Sequence, residues 1–286
     1  MARALRIQYP GAVYHITSRG NARQSIYYDE KDKIRFLQFL VKIVKQYGWY
    51  CHAYCLMSNH YHLLIETPEP NLSRGMKRLN SLYSLTFNKR HRRVGHVLQG
   101  RYHSIVVEKH SYLLELSRYI VLNPVRAHMV ENPDEWIWSS YRGTAGIVEP
   151  APPLTVDWIL FQFSRRKSTA REMYKEFVRQ GCECSSPWEN LEGDLFLGEP
   201  GFAQSVRQKL EEQTTSVAVS KGHRSAGRPT LSHLFPEGLV RNKPARNERI
   251  IEAFECHLYT QSEIGKQLKL HPASISRIIK DWKEKC

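Results

Sequence analysis

The first regular signal along the chain is a period of two. In AVYHITSRG (12–20), Val13, His15 and Thr17 alternate with Tyr14, Ile16 and Ser18. That is the spacing of a strand whose successive side chains point to opposite faces, and Gly20-Asn21 supplies a turn after it. From Asp29 to Tyr47 the period lengthens to that of a helix: Ile34, Leu37, Leu40, Val41 and Val44 share one face, with Asp29 placed to cap it and Gly48 to stop it. Two apolar runs follow, WYCHAYCLM (49–57) and HYHLLIET (60–67), joined tightly through Ser58 and Asn59; both read as strands. Asn71 opens a second helix that runs to about Arg90. GRYHSIVVEK (100–109) is a further strand. SYLLELSRYIVLN (111–123) is a third helix, with Ser111 at its start and Pro124 enforcing its end.

The resulting order, β-α-β-β-α-β-α, predicts an α+β domain over residues 1–150: a ferredoxin-like antiparallel sheet with helices on one face. His60 and His62 fall near the centre of that sheet. After WIWSSY (136–141) the character changes, and APP at 151–153 reads as a linker. A helical region over 151–212 contains STAREMYKEFVRQ and GFAQSVRQKLEEQ. A polar, Gly- and Pro-containing basic stretch over 213–246 reads as a flexible linker. Residues 247–286 predict a helix-turn-helix. Thr260 or Ser262 caps EIGKQLKL, a tight turn falls at His271-Pro272, and ASISRIIKDW forms the second helix. Ile264 and Leu268 would pack on Ile275 and Ile278. Ser274, Ser276, Arg277 and Lys280 would face outward, toward a major groove. An ordinary helical hairpin gives the same pattern, and the basic context favours DNA binding.

Charge narrows the partners. Of 286 residues, 42 are Lys or Arg and 28 are Asp or Glu, a formal net charge of +14. That excess points to a polyanion, most simply nucleic acid. A membrane surface is the weaker alternative: no apolar run approaches the roughly 20 residues of a bilayer span, and no basic helix has a clean apolar face. The opening MARALRIQYPGAVYHIT has no signal-peptide apolar core, which predicts a cytoplasmic protein. The six cysteines, Cys51, Cys55, Cys182, Cys184, Cys256 and Cys286, form no C-x-x-C pair. A zinc ribbon is thereby disfavoured and free thiols are expected.

The chemistry gathers at SNHYHLLI (58–65). On a strand, His60 and His62 point to the same face, close enough to hold one metal ion; two hydrogen-bonded core histidines are the other reading. On the third helix, Tyr112, Glu115, Tyr119 and Asn123 fall on one stripe, beside the apolar Leu113, Leu116 and Ile120. Tyr119 and Asn123, one turn apart, can address one spot. A tyrosine hydroxyl attacks a phosphodiester when a metal polarises the phosphate, and the Asn123 carbonyl oxygen suits Mg²⁺ or Mn²⁺ as a third ligand. Without the histidines, a helical tyrosine is an ordinary core-edge residue. Lys89, Arg90, Arg92, Arg93 and Arg101 are candidates to track phosphates, and Tyr102 to stack on bases.

The set VYHITSRGNARQ, AYCLMSNHYHLLIE, HVLQGRYHS and RYIVLNPVRAHMV, closing with WSSY, resembles the HUH single-strand DNA transposases with one catalytic tyrosine. Within them it is similar to the REP-associated tyrosine transposases, a bacterial branch. The resemblance covers roughly the first half of the chain. It implies that His60 and His62 are the metal-binding pair, with Tyr61 in the place of the intervening hydrophobic residue. It implies that Tyr119 forms a 5′-phosphotyrosine and frees a 3′-hydroxyl, and that Asn123 completes the metal site where related enzymes often have Gln. It further implies cleavage at or near single-stranded hairpins of repeated palindromes, with flanking duplex DNA, by a monomer or homodimer. The rivals are a DNA-binding regulator on the same fold that no longer cleaves and a mobilisation relaxase, which the short chain disfavours. A zinc deaminase lacks its H-x-E and P-C-x-x-C signatures here.

Overall fold

The computed structural model describes residues 7–181, 187–211, 231–236, 243–255 and 259–283. The chain divides into two compact units, Met1–Leu210 and Glu211–Cys286.

The first unit is built on the expected alternation of strands and helices: β1 (Ala12–Arg19), α1 (Glu30–Tyr47), β2 (Tyr50–Leu56), β3 (His60–Thr67), α2 (Leu72–Arg90), β4 (His103–Val107) and α3 (Lys109–Arg126). The four strands lie in the order β2-β3-β1-β4, all antiparallel to their neighbours, the ferredoxin-like arrangement. α1 starts where the Asp29 side chain accepts the Asp32 N–H at 3.0 Å. It stops at Gly48, whose φ of 65° only a residue without Cβ adopts easily. Asn71 stands at the head of α2 but does not cap it through its side chain. Its Oδ1 instead accepts the Trp49 indole N–H at 2.6 Å and its Nδ2 donates to the Tyr47 carbonyl, tying α2 to the end of α1.

Both faces of the sheet are covered. Tyr14, Ile16, Tyr61, Leu63, Ile65 and Val106 face α1 and α2. Val13, Leu64, Ile105 and Val107, on the opposite parity, face Leu113, Leu116 and Ile120 of α3. The expected one-sided layer of helices therefore describes α1 and α2, while α3 covers the other face. α3 also runs past Pro124 to Arg126, correcting the expectation that proline ends it. Pro124 has no N–H for the Ile120 carbonyl. The Asn123 side chain fills the gap, its Nδ2 donating to the Tyr119 carbonyl at 2.9 Å and the Ile120 carbonyl at 3.4 Å.

No break falls at residue 150. Leu154 bridges to Cys51 and the Thr155 N–H donates to the Cys51 carbonyl. α4 (Tyr141–Thr144), α5 (Asp157–Phe161) and α6 (Lys167–Gln180) contribute Tyr141, Ile159, Leu160, Tyr174 and Val178 to the core beneath α3. The stretch expected to be helical over 151–212 also holds two short strands, β5 (Leu191–Glu192) and β6 (Phe196–Leu197), and β6 pairs in parallel with β4. At the other edge, Trp138 and Ser140 of the WSSY segment bond to Leu56 and Tyr54 of β2. The two outer strands of the four-stranded sheet, β2 and β4, thus both have backbone partners.

In the second unit, α7 (Lys243–Glu255), α8 (Gln261–Leu268) and α9 (Pro272–Lys283) enclose Ile250, Ala253, Ile264, Leu268, Ile275 and Ile279. Thr260 and Glu263 form a reciprocal capping box at the head of α8. Most of the expected 213–246 linker lies outside the described residues, as do Cys182, Cys184, Cys256 and Cys286; Cys51 and Cys55 are free and buried. Among the described residues no helix is long and apolar enough to cross a membrane.

Candidate active site

The sheet face that meets α3 changes character along its length. At one end its side chains are Val13, Leu64, Ile105 and Val107. At the other, the same parity brings His15, Thr17 and Arg19 of β1, His60 and His62 of β3, and His103 of β4. Register aligns them: Thr17 lies opposite both His62 and His103, and Arg19 opposite His60. α3 crosses this polar corner, and Tyr119 and Asn123 join His60, His62, His103, Arg19, Gln99 and Arg101 in lining a cavity of about 500 Å³.

The four central residues expected from sequence therefore meet in one protomer. The ring centroids of His60 and His62 are 5.0 Å apart, and the Tyr119 ring stands edge-on to His62 at 6.3 Å. Arg126, two turns along α3, lies over the Tyr119 ring with its guanidinium 5.0 Å from the centroid, a cation–π geometry. Its Nη2 donates to the Gly181 carbonyl. Trp188, in a 3₁₀ turn at Pro187–Asn190, meets Tyr119 edge-on at 5.2 Å.

The two imidazoles are held differently. Asn59 Nδ2 donates to the Arg23 carbonyl at 3.0 Å, so its Oδ1 must accept the Nδ1–H of His60, 2.7 Å away. That leaves His60 Nε2 with its lone pair. His62 Nδ1 lies 2.9 Å from His15 Nε2, and its own Nε2 is buried without a hydrogen-bond partner. Burial, then the nearby Arg19 charge, lowers the His60 pKa to about 4. Burial, then His15, His60 and Arg19, pushes that of His62 well below 6.5. Burial, then His103, lowers that of His15 to about 3. All three are neutral at physiological pH, the form that ligates metal.

The donor set fits a divalent cation. His60 offers the Nε2 lone pair, and His62 Nε2 is a buried ring nitrogen without a hydrogen-bond partner. With its Nδ2 turned to helix carbonyls, Asn123 has Oδ1 left as the free end of its amide. Among the described residues no group of three or more His, Cys, Asp or Glu is placed to hold a metal ion by itself, so a site here would combine imidazole with amide oxygen.

The other expected residues divide. Arg101 is exposed and lines the cavity. Lys89 and Arg92 are exposed near the end of α2. Arg90, in contrast, pairs with Asp29 and Asp32, and Arg93 bonds Tyr28 and Gln24. Arg90 thus ties the end of α2 to the start of α1, and Arg93 ties the loop after α2 to the segment before α1. Tyr102, expected to stack on bases, is 6% exposed, within the core under α2, its hydroxyl 3.3 Å from that of Ser73. Ser274, Ser276 and Arg277 are exposed on α9, and the Lys280 side chain lies outside the described positions. His15, Arg19, Gln99, His103, Arg126 and Trp188 belong to the site without having been expected there. Alternation along β1 and β4 put the first two and His103 on the right face; nothing in the sequence marks Trp188.

A family model described as IS200-like transposases matches residues 8–123. A solved structure of a REP-associated tyrosine transposase bound to a REP hairpin aligns over 55% of this chain and 93% of that one, at 16% identity and a TM-score of 0.45. No curated protein matches the chain.

Proposed function

We propose that this chain, whose residues 8–123 match the model of the IS200-like transposases, is a metal-dependent single-strand DNA endonuclease and transposase of the REP-associated kind. It cuts and rejoins DNA at hairpin repeats in the cytoplasm through a 5′-phosphotyrosine. The observation that carries the reading is the meeting of Tyr119, Asn123, His60 and His62 at one cavity rimmed by Arg19 and Arg101.

His60 and His62, through Nε2, and Asn123, through Oδ1, would hold Mg²⁺ or Mn²⁺. Such an ion supplies Lewis-acid polarisation of the scissile phosphate. Arg19 and Arg101 bind the strand's phosphates by charge-assisted hydrogen bonds. The Tyr119 oxygen attacks phosphorus; its O–P bond forms as the P–O3′ bond breaks. The phenol proton leaves and the departing 3′-oxygen takes one up. Arg126, over the Tyr119 ring, holds the phenol in place by cation–π contact. The phosphotyrosine keeps the energy of the phosphodiester, so a 3′-hydroxyl attacking it rejoins strands without ATP. One protomer carries the whole set, so a monomer suffices. Ser274, Ser276 and Arg277 on α9 face duplex DNA flanking the hairpin.

The test is to incubate the protein with a labelled single-stranded hairpin oligonucleotide and Mn²⁺ and to separate the products under denaturing conditions. The expected result is a labelled protein band that is absent for Tyr119→Phe and for His60→Ala, both of which still bind the hairpin. Hairpin and duplex binding with no band under Mg²⁺ or Mn²⁺ would instead make the chain a regulator on a transposase fold.

A further inference from the structure

His62 lacks the arrangement that fixes His60. Asn59 leaves the His60 tautomer no choice, because an amide oxygen only accepts. His62 is bonded instead to a second imidazole, His15, with the rings 6° from parallel and centroids 5.2 Å apart. One proton lies in that bond, and it belongs to either ring. If His15 donates, His62 carries its proton on Nε2 and presents an N–H to the cavity. If His62 donates, its Nε2 presents a lone pair.

Each assignment leaves one buried ring nitrogen of each histidine without a partner, His15 Nδ1 and His62 Nε2. They differ in what can relieve this. A cation at His62 Nε2 satisfies the lone pair of the second assignment and is repelled by the N–H of the first. His15 is also unable to turn away. It is 3% exposed, Trp188 lies against its ring at 5.2 Å and 28°, and Tyr119 meets it edge-on at 6.5 Å.

We propose that His15 is the positioning residue of His62: its Nε2 accepts the His62 Nδ1–H, fixing that ring and turning the His62 Nε2 lone pair into the cavity for a divalent cation. This rests on the reading of the cavity as a metal-dependent site. Metal-bound histidines commonly donate their second ring N–H to a carboxylate or carbonyl; here an imidazole takes that place. Trp188, which braces His15, comes from beyond the segment 8–123 that matches the family, so the downstream chain helps to hold the ligand.

The experiment uses the full chain, with Mn²⁺ as the probe. Imidazole ¹⁵N NMR of the wild type is expected to show His62 protonated on Nδ1 and not on Nε2; the opposite assignment overturns the proposal. By titration, His15→Phe, which keeps a ring but no acceptor, is expected to weaken Mn²⁺ binding about 10- to 100-fold. His15→Gln, whose carbonyl can accept the same hydrogen, is expected to restore most of that loss. A folded His15→Phe variant binding Mn²⁺ as tightly as the wild type overturns the proposal, and if that variant does not fold, the NMR assignment decides. Failure of the underlying reading looks different: the wild type binds no Mn²⁺ although His62 carries its proton on Nδ1.

Discussion

Two arginines eleven positions apart show what a charge count along the sequence hides. Arg101 is exposed at the cavity, whereas Arg90 is spent on Asp29 and on Asp32, which is 3% exposed. Arg101→Ala is therefore expected to weaken hairpin binding and flatten its salt dependence with an unchanged melting temperature. Arg90→Ala is expected to lower the melting temperature by several degrees, since it strips a buried carboxylate of one partner. Calorimetry alongside hairpin titration separates the two; equal melting temperatures would contradict the assignment. The buried histidines make a second residue-level prediction. Unfolded, each titrates near 6.5; folded, His15 titrates near 3 and His60 near 4, both because burial disfavours the cation. Below pH 6.5 the unfolded chain binds more protons, so their contribution to stability is complete above that pH and is lost as pH falls. Urea unfolding between pH 6 and 4 is expected to lose about 1.4 kcal/mol per pH unit more in the wild type than in His15→Phe. Parallel pH profiles would show that His15 is not held neutral. At this scale the pairing of His60 with His62 and of Tyr119 with Asn123 at one cavity was legible, because strand and helix periods place each pair on one face. The burial of Tyr102 was not legible, because alternation does not say which face is wet.

At the scale of elements, α3 matters most, because it carries Tyr119 and Asn123 across the polar corner of the sheet. A proline normally ends a helix by removing a donor and crowding the preceding turn, and from the sequence Pro124 promised that. The Asn123 amide supplies the missing donor, a local side-chain bond that composition and periodicity do not reveal. Asn123→Ala is expected to destabilise the chain by about 1 kcal/mol. In Pro124→Ala the backbone N–H returns, and the same Asn123→Ala change is then expected to lose most of its effect. A double-mutant cycle on urea unfolding measures this; additive effects would contradict it. Cleavage is expected to stay lost in both Asn123→Ala backgrounds, since the amide oxygen is gone. Caps were readable where the residue type dictates the bond, as at Asp29, Gly48 and Thr260. β5 and β6 were not, because two-residue strands are too short to show a period.

For the whole molecule, the β-α-β-β-α-β-α pattern carried the architecture of the first unit, since each element's own period is consistent with the sheet that results. What the pattern lacked was the return of the downstream chain: Trp188 reaches His15 and Tyr119, and β6 extends the sheet, through contacts far apart in sequence. The unit ends near Leu210, so a chain of residues 1–210 is expected to keep hairpin cleavage and to lose affinity for flanking duplex. Gel-shift and cleavage assays on the truncated and full chains check this, and loss of hairpin cleavage on truncation would contradict it. The most direct measurement is mass spectrometry of the covalent product after proteolysis. A 5′-phosphonucleotide on the peptide containing Tyr119, dependent on divalent metal, is the expected result. A nucleotide on another residue, such as Tyr112, or no adduct with a cut hairpin, would contradict the account.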